Sequence, residues 1–209
     1  MNIQEEEEIP REEIIPGVAR ALSPLVRRIL VPGGSDERGT NTYLVGIDEI
    51  AVIDPGPIHA DHLIAISGCG GDCLRWVMVT SGDPDAAEGA KALKEETGVD
   101  ILVPSWITGV EADRHLELGE TLLGTEFRLT IHDVAGSPEP RAIYHLEEER
   151  TLLVGDLLCE DEETEEIRPD GPTKELGPAL ALSKGLRIKR IAPLHGHTIE
   201  DPGPFLNSL

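Results

Sequence analysis

The chain has 209 residues, with 40 acidic against 18 basic side chains and a formal charge of −22. A surface this negative repels phosphate backbones and argues against nucleic-acid binding by counterion release. No apolar run reaches the roughly 18 residues of a membrane span, and three cysteines, an odd count, argue against a disulfide framework.

The length suits one domain, able to bury about two-thirds of its extended-chain surface. Aromatics make up only 3% of the chain, so the core must come from Val, Ile, Leu and Ala. Met1-Asn2-Ile3-Gln4, followed by Glu5 to Glu8, lacks the basic start and apolar stretch of a secretory signal. A cytoplasmic location is expected.

Residues 1–24 read as an acidic, Pro-punctuated arm and 25–209 as a single domain. Short β-type runs follow the arm at Val26–Val31, Thr42–Val45 and Ile50–Ile53, separated by turn-forming Gly, Asp and Pro. Spacing this tight predicts an antiparallel meander. Ala60–Ser67 suits a short helix, and Leu74–Val79 reads as a strand buried on both faces. Ala86, Ala90, Leu93 and Thr97 define one helical face closed by Gly98. Further strands are expected at Ile101–Val103, Phe127–Val134, Ala142–Leu146, Thr151–Val154 and Arg190–Ala192, with a helix near Leu176–Lys184. Alternation of this kind fits two sheets with helices outside. The run Glu160–Glu166 reads as a solvated loop.

Six segments in order carry a family likeness: Gly39-Thr40-Asn41-Thr42-Tyr43-Leu44-Val45, Val52-Ile53-Asp54-Pro55-Gly56-Pro57, Val77-Met78-Val79-Thr80, Leu118-Gly119-Glu120-Thr121-Leu122, Leu153-Val154-Gly155-Asp156 and Ala192-Pro193-Leu194-His195-Gly196. The chain resembles the metallo-β-lactamase superfamily, especially its short hydrolases similar to glyoxalase II, over residues 25–200. That resemblance implies an α+β fold, a four-layer αββα sandwich with its active site at the edge of the two sheets.

The family's metal-binding loop is His-x-His-x-Asp-His. By resemblance Ser81 stands at its first His, Asp83 at the second, Asp85 at the Asp and Ala86 at the third. Gly136 stands at the next His, Asp156 matches the Asp that bridges two metals, and His195 matches the last His. Zinc favours imidazole nitrogens, so a dinuclear zinc centre is not expected. The surviving set is Asp85, Asp156 and His195, a set of donors that suits Mn²⁺, Fe²⁺ or Mg²⁺ better than Zn²⁺. A bound ion would acidify its water, and Asp83 or Asp85 would accept the proton. Asp83-Pro84-Asp85 also reads as a helix start, with an Asp cap, Pro in the first turn and a second acid facing the dipole. His59 and His62 read as polar residues at another helix start, and His197 as a surface residue or an extra donor.

Two functions follow. The first is a non-catalytic relative, without a metal cofactor, that binds a small molecule or a protein partner. The second is a hydrolase of thioesters or small acyl esters that uses one non-zinc ion. Neither involves nucleic acid or membrane, and the oligomeric state stays open.

Overall fold

Three runs of β-branched and aliphatic residues near the start form an antiparallel ribbon: β2 (Val26–Val31), β3 (Thr40–Val45) and β4 (Ile50–Ile53), preceded by the two-residue strand β1 (Arg20–Ala21). The computed structural model describes residues 13–33, 37–134, 137–160, 166–170, 180–183 and 185–208. After β4 the chain switches to an alternation of helices and parallel strands. Helix α1 (Ala60–Gly70) leads to β5 (Leu74–Met78), and α2 (Pro84–Thr97) leads to β6 (Asp100–Pro104), each strand parallel to its predecessor. With the short β7 (Arg114–Leu116) they complete a seven-stranded sheet in sequential order.

The second half builds a six-stranded sheet of order β15-β14-β11-β10-β9-β8. Its strands are β8 (Thr121–Leu123), β9 (Arg128–Asp133), β10 (Ala142–Leu146), β11 (Thr151–Gly155), β14 (Arg190–Pro193) and β15 (Ile199–Glu200). A small hairpin, β12 (Leu158–Glu160) with β13 (Ile167–Pro169), stands apart. The main core fills the space between the sheets and beneath α1 and α2 with residues such as Ile29, Leu44, Val77, Leu93, Leu129 and Tyr144. A second cluster covers the far face of the six-stranded sheet, where Ile143, Leu152 and Ile191 meet Leu180 and Leu206, the latter from the C-terminal helix α3 (Gly203–Ser208). The result is the expected four-layer αββα sandwich. Among the described residues, no helix is long and apolar enough to cross a membrane.

One expectation needs correction. In β5, Arg75 is exposed and Trp76 half-buried, so the strand is not covered throughout. Arg75 is held at the start of the strand, where its guanidinium donates to the carbonyls of Asp72 and Leu74 and faces Glu49. His62 lies in the first turn of α1 and is buried at 2% exposure. The helix expected near Leu176–Lys184 lies largely outside the described residues; Ala181–Ser183 forms a 3₁₀ turn.

Candidate binding cleft where the two sheets meet

The Gly39–Tyr43 segment works as scaffolding. Asn41 donates from Nδ2 to the carbonyls of Pro193 and Gly196, and its backbone N–H bonds Leu194 O at 2.7 Å. Tyr43 donates to Pro193 O at 2.7 Å. Together they hold the loop that carries His195 against β3. Thr42 donates to Asp54 O, which commits its hydrogen, so it accepts from the His62 Nε2–H at 2.8 Å. Burial then lowers the His62 pKa to about 4.

Asp54 ends β4 in the left-handed region, at φ 52°, a conformation Asp tolerates better than most residues. Its carboxyl takes the backbone N–H and the hydroxyl of Thr80, each at 2.8 Å. Burial pushes its pKa up to about 7, opposed by both Thr80 bonds and by Arg141, and aided by Asp156. Gly155 approaches so closely that a Cβ there would lie 2.3 Å from Thr80 Oγ1. The ends of β4, β5 and β11 therefore converge at one point, where the sheets meet.

Around that point the chain gathers every described residue of the predicted site. Ser81, Asp83, Asp85, Asp156 and His195 line one cavity of about 70 Å³, with Thr40 and Asp54. Gly136 lies outside the described residues. Two of the predicted donors make hydrogen bonds to the backbone. Asp83 caps α2, its Oδ1 accepting from Asp85 N–H at 3.0 Å. His195 places Nδ1 2.7 Å from Gly39 O; a carbonyl only accepts, so the proton sits on Nδ1. Among the described residues, no three His, Cys, Asp or Glu side chains are placed to hold a metal ion.

The residue that sequence reasoning missed is Arg141, at the start of β10. Its guanidinium makes a two-pronged bond to Asp156, Nε to Oδ1 at 2.7 Å and Nη2 to Oδ2 at 3.0 Å. Nη2 also reaches Glu139, and Nη1 the carbonyl of Pro140. Burial disfavours its charge, but Asp156 and Glu139 hold its pKa above the ordinary arginine value. Its own carbonyl accepts from Trp106 Nε1, and a lone bridge joins it to Ser81. No motif announces this residue. Its signal is the fold, which brings the start of β10 beside the end of β11. Against the outer side of Arg141 lies a larger cavity of about 350 Å³, lined by Gly82, Asp83, Thr108 and Glu139 among others.

No protein-family model matches the chain, and no curated protein matches it. Solved structures do. A metallo-β-lactamase from Pontibacter korlensis is 13% identical, covers 91% of this chain and 97% of its own, and superposes with a TM-score of 0.73. The metallo-β-lactamase FIM-1 of Pseudomonas aeruginosa, in its mono-zinc form, is 16% identical over 93% of this chain and 94% of its own, with a TM-score of 0.71. The chemotaxis sensor ODP, in a peroxy diiron species, is 20% identical over 92% and 94%, also with a TM-score of 0.71. At these identities the likeness is one of fold. The chain has the metallo-β-lactamase fold.

Proposed function

We propose that this protein is a metal-independent relative within the metallo-β-lactamase superfamily, a binding protein rather than a hydrolase. The observation that carries the reading is the Arg141–Asp156 pair. Both oxygens of the residue matching the family's bridging ligand already face a fixed cation, and a second cation there would meet the guanidinium at close range. Asp83 and Asp85 sit at a helix N-terminus, where acids stabilise without any ion. As arranged, the described donors do not fit a metal ion. Size points the same way. The inner cavity of about 70 Å³ has room for about two waters, at roughly 30 Å³ each. The neighbouring cavity of about 350 Å³ falls in the range of small-molecule sites, about 300–1,000 Å³. That larger space, with Asp83 and Glu139 on its wall, is the ligand site of this reading.

One observation favours the single-ion hydrolase: His195, with its proton on Nδ1, has the tautomer that a metal-binding imidazole takes when a backbone carbonyl orients it. Elemental analysis of protein purified without chelator separates the two, followed by thermal titration with Mn²⁺, Fe²⁺ and Zn²⁺. Sub-stoichiometric metal and no saturable shift are expected. Stoichiometric metal, abolished by both Asp156→Ala and His195→Ala, would establish the hydrolase instead. Arg141→Gln should cost about 2 kcal/mol in urea unfolding, below the full penalty of breaking a buried pair because Asp156 keeps 20% of its side chain in solvent. A loss under about 0.5 kcal/mol, the level of a surface pair, would remove the pair from the argument.

A further inference from the structure

Arg27 and Arg28 are neighbours on β2 with opposite fates. Arg27 points to the helical side and donates to Gly46 O at 2.7 Å and to Cys69 O at 3.3 Å. Arg28, opposite Tyr43 in the strand register, points the other way, toward the second sheet, and is only 5% exposed. No hydrogen bond or ion pair joins its guanidinium to another described residue. Burial lowers its pKa; only Tyr43, a neutral phenol at pH 7, works against that, and Arg20 adds to it. Arg141 shows the contrast, with two carboxylates raising its pKa at similar burial.

A buried cation without a counter-ion is costly, and proteins normally pair such groups. Arg28 opens onto a cavity of about 380 Å³ formed where β1 and β2 face β15, lined by Arg20, Leu22, His197 and Ile199. Two carboxylates also lie on its wall, Glu160 and Glu200. Glu200 is taken by Arg190, at 2.5 and 3.1 Å. In a chain of net charge −22, this wall balances two arginines against two carboxylates, and Arg28 is the one of the four that is buried. The planar fork of an arginine matches the paired oxygens of a carboxylate or phosphate.

We propose that this cavity is a binding site for a small molecule carrying a phosphate or carboxylate group, with Arg28 as its buried anchor and Arg20 as its outer contact. Leu22 and Ile199 give the rest of the ligand an apolar wall. The site shares no lining residue with the Asp–His cleft and does not depend on how that cleft is read.

The test uses the whole chain at pH 7, titrated separately with inorganic phosphate and with butyrate at ionic strength matched by chloride, and follows the melting temperature. A saturable rise with one of the two is expected, and the one that acts identifies the group. Arg28→Met should melt no lower than the parent without anion, because a buried unpaired charge is gone, and should lose at least about tenfold in affinity. Arg20→Gln, on the exposed strand, should weaken binding by about three- to tenfold. Three results would each overturn the proposal. They are no saturable response to either anion, an unchanged response in both variants, or an Arg28→Met protein that melts far below the parent, which would mean that the guanidinium serves the fold.

Discussion

Burial at the end of β4 holds the Asp54 carboxyl near pH 7, although two Thr80 bonds favour its anion. Its folded pKa thus lies above the unfolded value of 3.8. Between those values the folded state holds a proton that the unfolded chain has released, so stability falls as pH rises from about 4 to about 7. His62 has the opposite sign. Its pKa is depressed to about 4, the unfolded chain binds the extra proton, and stability falls as pH drops below about 6.5. His132 and His145 are lowered in the same direction, by burial first and, for His132, by the neighbouring imidazole. Asp54→Asn separates these contributions. Asn tolerates the left-handed backbone and can bond both Thr80 groups, so it should raise stability at pH 8 by about 2 kcal/mol. At pH 4 the change should be near zero. Urea melts at the two pH values decide, and an equal loss at both would mean that the carboxylate itself is needed.

At the scale of elements, α2 shows a local preference losing to packing. Gly89 sits in the middle of the helix, where Ala would be favoured by about 1 kcal/mol. Yet a Cβ at Gly89 would lie 1.9 Å from the carbonyl oxygen of Gly56, in the turn after β4. Backbone cannot give way cheaply, so Gly89→Ala should destabilise by about 2 kcal/mol net despite its better propensity. Because Gly56 adjoins the cleft, the variant should also disturb whatever binds there. A more stable Gly89→Ala protein would show that the helix can slide. The caps of α2 were readable from the chain alone. Asp83 accepts from Asp85 N–H, and Gly98 at φ 75° closes the last turn. Strands β2, β4 and β10 match the expected spans because their apolar runs are bounded by turn residues. The short strands β1, β7, β8, β12, β13 and β15 had no such signal; two or three residues carry too little periodicity, and pairing alone defines them.

The whole molecule carries 22 more negative charges than positive at neutral pH. Self-repulsion of this kind weakens the compact state and is screened by salt. Raising NaCl from about 20 mM to about 0.5 M should therefore raise the melting temperature by about 3 °C, roughly 1 kcal/mol for a domain of this size. Chloride is chosen to keep phosphate and carboxylate out of the Arg28 cavity. A fall in melting temperature would mean that attractive pairs, such as Arg38–Asp170 and Arg190–Glu200, outweigh the repulsion.

Order and residue type along the chain determined the strand and helix spans and, through them, the sandwich. Those properties are local, set by hydrophobic period, turn chemistry and which side chain stands at which motif position. The sequence also named Asp83, Asp85, Asp156 and His195 as neighbours, and they do line one cavity. Only the tertiary structure decided what those groups are bonded to. Arg141 lies 15 residues from Asp156 and Gly39 lies 156 from His195, and no motif spans such gaps. Arg28 likewise reads as one of two adjacent arginines until the pleat sends it inward, where no described carboxylate pairs with it. Charge pairing in a folded protein depends on distance and burial, and neither is written in the order of residues.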